Sequence, residues 1–172
     1  MGGRGGREEP AGAPALFEGE SGAYRAEVFL HLLEREVRRA LRYQEFLVVL
    51  ALDLASPRPA ALGPPTLLRR LAEHLQGEVR TTDLVGRWGD GLGVALLCAS
   101  AEDARIVARR LLARVQGVAQ SEALGPPGGA AVRIGGACFP QSGSDARSLL
   151  QASLAAARRA AAMPGGDVWF GA

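Results

Sequence analysis

The stretch RTTDLVGRWGDGLGVALLC, residues 80–98, decides the fold. Leu84, Val85 and Trp88 precede an Asp90-Gly91 pair, and an apolar run from Val94 to Leu97 follows it. Asp-Gly tolerates the positive φ values of a two-residue type I′ turn, so the segment reads as a β-hairpin turning at Asp90-Gly91.

The pattern before the hairpin is helical from about Thr66 to Val79, with Leu68, Leu71, Leu75 and Val79 on one side and Thr66 as N-cap. Ahead of it, ASPRPAALGPP (55–65) carries four prolines, which exclude a helix or an inner strand. FLVVLALDL (46–54) is continuously apolar and then meets Asp53, the pattern of a central strand covered on both faces. From Phe29 a helix places Phe29, Leu32, Leu33, Val37, Ala40 and Leu41 inward and Glu34, Arg35, Arg38, Arg39 and Arg42 outward. Residues 1–19 are rich in Gly, Pro and Arg and read as a flexible tail; residues 20–172 read as one domain.

After the hairpin, a helix is expected over 101–116, a loop over 117–129, a strand over 130–139, a helix over 145–162 and a short strand over 167–170. The order α-β-α-β-β-α-β-α-β embeds a hairpin between βα units. That predicts an α/β chain with a mixed sheet of about five strands flanked by helices.

Composition removes several function classes. With 172 residues, 48% hydrophobic and 22% charged, the chain has globular averages. A net charge of +2 and 5% aromatic residues argue against nucleic acid as a partner. No apolar run reaches the roughly 18 residues of a membrane span, and the N-terminus has no secretory signal pattern, so a cytoplasmic location is expected. Cys98 and Cys138 match no metal spacing and read as two buried free thiols; His31 and His74 stand alone in helical stretches. All 20 basic residues are Arg, and Asn is absent. No Lys can form a Schiff base, and no Asn amide can read a purine.

The chain resembles the GGDEF domain, the diguanylate cyclase fold of bacterial signalling proteins. The resemblance is carried by GAYRAEVF (22–29), which keeps Gly22 and Phe29, by Asp53-Leu54-Ala55 at the end of the first strand, by RTTDLVGRWG (80–89), and by Arg133-Ile134-Gly135-Gly136. It implies a nucleotide-cyclase-like fold over residues 20–170. Active members hold two magnesium ions on an acid after the first strand and an acid of the signature. Asp53 fills the first place. The signature reads Gly89-Asp90-Gly91-Leu92-Gly93, with Leu92 where the family has Glu. Residues 55–70 contain neither Asn nor Asp for guanine recognition, and no Lys is present to hold phosphate. The resemblance therefore implies a degenerate member with no catalytic residues and no tightly bound magnesium. Asp53 remains as a vestigial metal position.

The family's inhibitory site, an Arg-x-x-Asp that binds cyclic di-GMP, corresponds to Arg80 and Asp83, joined by Arg110 with Arg109 beside it. Arg forks suit phosphate or a guanine edge, and a carboxylate suits the guanine N–H pair. Arg-x-x-Asp also occurs at Arg87 and Asp90, so position alone distinguishes the first match. The competing reading is local: Asp83 pairs with Arg80 or Arg87 and stabilises the turn. The expected function is a regulatory, cyclic di-GMP-binding protein with a protein partner. Alternatives are a ligand-independent interaction or homodimerisation module, and GTP binding with residual cyclase activity. With about 20 residues ahead of the fold, no input domain is expected in this chain.

Overall fold

Nine consecutive residues, LVVLALDLA, form β1 (Leu47–Ala55), the centre of the sheet. The computed structural model describes residues 16–18, 21–55, 65–121, 131–160 and 168–170. Around β1 the chain runs α1 (Ala26–Tyr43), α2 (Pro65–Glu78), β2 (Leu84–Trp88), β3 (Gly91–Leu97), α3 (Ala101–Ser121), β4 (Ala131–Phe139), α4 (Ala146–Ala160) and β5 (Val168–Phe170). The five strands lie in the order β2-β3-β1-β4-β5. The first four are antiparallel, and β5 joins β4 in parallel. The mixed five-stranded sheet expected from the hairpin between βα units is what forms.

Because side chains alternate along β1, the sheet has two cores. Val48, Leu50 and Leu52 join Leu71 and Leu75 of α2 and Leu111 and Val115 of α3. Leu47 and Val49 join Phe29, Leu33 and Val37 of α1 and Leu149 and Leu150 of α4. Both faces are covered, which is why β1 is apolar at every position from Leu47 to Leu52. Helix α4 lies so close to β4 that a Cβ on Gly135 would collide with the Ser153 carbonyl and the Ala157 amide. Only glycine allows that approach.

Reciprocal side-chain caps start two helices. The amide of Ser100 donates to Asp103 Oδ2 (3.3 Å), and that of Asp103 donates to Ser100 Oγ (3.1 Å), ahead of α3. At α4 the Ser148 amide donates to Asp145 Oδ1 (2.9 Å) and the Asp145 amide to Ser148 Oγ (3.2 Å).

Five local expectations change. Trp88 pairs with Gly91, so the hairpin loop is Gly89-Asp90, one residue earlier than expected. Gly89 supplies the positive φ (54°), as the type II′ class requires of its first loop residue. Gly91 is needed in the strand instead, because a Cβ there would collide with the Leu52 carbonyl oxygen. Helix α2 begins at Pro65, so Thr66 lies inside the first turn and not at the cap. Helix α3 continues through Gly117 to Ser121, past the expected end at 116. Leu41, expected inward, is 68% exposed at the last turn of α1, and the Cys98 thiol is also exposed. Cys98 follows β3 in a left-handed conformation (φ 49°), which turns its thiol towards Glu45 Oε2 (3.5 Å) instead of the core. Cys138 is buried as expected, and burial pushes its thiol pKa up.

Residues 16–18, placed in the tail by composition, pair with the start of the domain. Arg25 donates its amide to Leu16 O (3.0 Å), and the Phe17 ring stacks on Tyr24. Residues 1–15, 19–20, 56–64, 122–130, 161–167 and 171–172, and with them most of the expected tail and of the loops expected over 55–65 and 117–129, lie outside the described residues. Among the described residues, no helix is long and apolar enough to cross a membrane.

Candidate functional site

Helix α2 ends at Glu78, and the chain must then reverse into β2 within five residues. Asp83 makes that turn. Its amide donates to Arg80 O (3.0 Å), its Oδ2 accepts the Arg80 amide (2.9 Å), and its Oδ1 accepts the Leu97 amide at the end of β3 (3.0 Å). The carboxylate therefore locks the turn to the sheet. An ionised carboxylate has about four acceptor positions, so about two remain for other donors.

Around this turn lies a cleft of about 470 Å³. Val79, Leu96 and Val107 supply apolar walls, and Glu78, Arg80, Asp83, Asp103 and Arg110 supply charge. The structure brings Arg80, Asp83 and Arg110 together in the lining of this one cleft. Arg109, on the same helix as Arg110, is exposed and does not line the cleft.

The side chains differ in their commitments. Among the described residues, the Arg80 side chain has no hydrogen bond or ion pair; it acts on Asp103 through charge alone. Arg110 is engaged. Its Nη2 donates to Glu78 O (2.6 Å), and its Nε meets Glu78 Oε2 at 3.1 Å. Arg114, one turn further on, approaches Glu78 Oε1 at 3.5 Å. The Ser100 hydroxyl (2.7 Å) and amide hold the Asp103 carboxyl below its ordinary pKa, with the positive charge of Arg80 adding to the effect. The local reading, in which Asp83 pairs with Arg80 or Arg87 and stabilises the turn, holds for Arg80 through its backbone amide, and Asp83 holds the Leu97 amide as well.

Glu78 and Asp103 were not anticipated. Ser100-Ala-Glu-Asp103 is a capping-box pattern ahead of an apolar periodicity, and it marks Asp103. Glu78 is an acid in the last turn of a helix, where the dipole disfavours it, and that mismatch is its only sequence signal. Together the cleft residues can do two things. The free guanidinium can donate a fork of N–H groups to a phosphate or purine edge, and the fixed carboxylate can accept from an N–H pair.

The hairpin end is different. Asp53 stands opposite Arg133 in the β1–β4 register, and Asp90 is exposed at the hairpin tip. Leu92 is 2% exposed, sits opposite Leu52, and belongs to the core under α2 and α3. The magnesium pair that the family resemblance implies requires several carboxylate oxygens. Among the described residues, no group of three or more His, Cys, Asp or Glu could hold a metal ion. With Leu92 in the core, the described donors at this end, Asp53 and Asp90, do not fit two hard cations.

Residues 65–164 match the family described as "Diguanylate cyclase, GGDEF domain". The fold is similar to the GGDEF domain of TpbB (YfiN) from Pseudomonas aeruginosa, at 25% identity and TM-score 0.71, over 90% of this chain and 93% of that one. The FimX GGDEF domain from Pseudomonas aeruginosa has a TM-score of 0.72 at 20% identity, over 91% and 99% of the two chains. The GGDEF domain of DgcB from Caulobacter crescentus, solved in complex with c-di-GMP, has a TM-score of 0.71 at 14% identity, over 94% and 98%. No curated protein matches the chain. The match spans more than half of the sequence and includes the turn, the hairpin and the cleft-lining helix, and on that ground the chain belongs to the GGDEF family.

Proposed function

We propose that this GGDEF domain binds cyclic di-GMP in the Arg80 cleft and does not synthesise it. The observation that carries the reading is the convergence of Arg80, Asp83 and Arg110 on one cleft of about 470 Å³. Arg80 brings an uncommitted charge to the ligand, Asp83 a prefixed acceptor, and Arg110 a second donor fork. The DgcB relative, solved with c-di-GMP bound, lends support at the level of the family.

The absence of synthesis rests on donor chemistry. Phosphoryl transfer draws its rate from positioned cations and phosphate clamps. Here one family acid is the buried Leu92, and the chain has no Lys. The domain acts as a regulatory module: occupancy of the cleft is passed to a protein partner. Two free cysteines suit a reducing cytoplasm.

Calorimetric titration tests the reading. Cyclic di-GMP is expected to give a saturable heat with the wild-type chain and none with Arg80→Ala. Incubation with GTP and magnesium, followed by chromatography, is expected to yield no cyclic di-GMP. Absent heat at tens of micromolar ligand ends the binding proposal, and any product ends the second half of it.

A further inference from the structure

Glu78 is an acid at the negative end of α2, with no basic residue in the last turn of its own helix. Alone, that placement is unfavourable. The compensation comes from another element: α3 sends Arg110 and Arg114 to the two carboxylate oxygens, at 3.1 and 3.5 Å. Arg110 also donates to the Glu78 carbonyl at 2.6 Å, so one residue holds this guanidinium at two points. Two contacts at Nε and Nη2 fix both the position and the plane of a rigid fork. Of the five N–H groups in the fork, about three are left over. Both residues line the cleft.

We infer that Glu78 is a positioning residue of the cleft. It holds the guanidinium of Arg110 so that its remaining N–H groups are pre-aimed at a bound anion. This rests on the binding proposal above and adds to it. An arginine side chain on an exposed helix face loses rotamer freedom when it takes up a ligand, and Glu78 removes that cost before the ligand arrives. The opposing expectation is also physical. A carboxylate beside the cleft could repel an anionic ligand and compete for Arg110. Geometry favours positioning, because Glu78 engages Nε and one Nη2 hydrogen and leaves the other donors open.

The test is a double-mutant cycle read by calorimetry with cyclic di-GMP on the full chain, alongside NMR of the arginine Nε–H groups. Glu78→Ala is expected to weaken binding about tenfold. In an Arg110→Ala background, the same change is expected to have no effect, because Glu78 acts through Arg110. Glu78→Gln keeps an acceptor oxygen and is expected to recover part of the loss. Tighter binding by Glu78→Ala overturns the inference, and so does an equal loss with and without Arg110. The NMR arm separates this inference from the binding proposal. If the wild-type chain gives no heat, the binding proposal fails, while positioning still requires a resolved Arg110 Nε–H signal that Glu78→Ala moves to the solvent-exposed envelope. A signal unchanged by Glu78→Ala overturns positioning outright.

Discussion

At the Leu97 end of β3 the backbone amide is held by Asp83, and charged side chains surround a cleft. At the Gly91 end of the same seven-residue strand, about 20 Å away, Leu92 lies in the apolar core and the hairpin tip is two residues long. One strand thus links an end lined by charged side chains, where we propose a ligand binds, to an end that buries Leu92 in the apolar core. At the tip, the fold needs an apolar strand and a tight turn at Gly89-Asp90. At the other end the acid is also structural, because Asp83 closes the turn.

The largest expected effect comes from forcing the two ends to be alike. Leu92→Glu restores the family's acid, yet it places a carboxylate in the core under α2 and α3. A loss of about 3 kcal/mol or more in urea unfolding is expected, with no cyclic di-GMP made from GTP. An unchanged midpoint together with magnesium-dependent turnover breaks the contrast.

Next in size is Arg80→Ala. Because this side chain has no hydrogen bond or ion pair among the described residues, urea stability is expected to stay within about 0.5 kcal/mol of wild type. Affinity for cyclic di-GMP is expected to fall by about 2 kcal/mol or more, as for a lost charged hydrogen bond. Asp83→Ala sharpens the comparison, since it removes the acceptor of two backbone amides. A stability loss of about 1–2 kcal/mol is expected along with weaker binding. If Asp83→Ala binds less well but melts like wild type, the structural half of its role is wrong.

The smallest effect is in acid. The carboxyls of Asp103 and Asp145 are held below their ordinary value of 3.8, chiefly by Ser100 and Ser148 respectively. Their folded-state pKa is depressed, so their contribution is present above the unfolded value and is lost as pH falls through the lower folded one. Melting temperature is therefore expected to drop below about pH 4, and Ser100→Ala is expected to flatten part of that drop. An identical acid profile in Ser100→Ala removes the cap from the account.

The sheet was legible because its evidence is periodic and local. Residues 46–54 leave no polar face, and a hairpin between βα units restricts the topology. The hairpin turn moved by one residue because Gly89-Asp90 and Asp90-Gly91 both satisfy turn chemistry. A tertiary contact, the Leu52 carbonyl against Gly91, decides between them. Leu41 shows the same limit: it has the helical phase of an inward residue, yet its side chain is 68% exposed, while Ala40 beside it is buried. In the candidate site, spacing and family position singled out Arg80 and Asp83, and both line the cleft. The Leu97 amide that Asp83 holds, and the two-point grip of Glu78 on Arg110, join residues 14 and 32 apart in sequence. No local pattern carries those contacts.

Hydrogen–deuterium exchange with and without cyclic di-GMP compares the two ends of β3 in one measurement. Slower exchange over residues 77–83 and at the Leu97 amide, with residues 88–93 unchanged, is the expected result. Protection centred on Asp53 and residues 88–93, or no protection at either end, contradicts it.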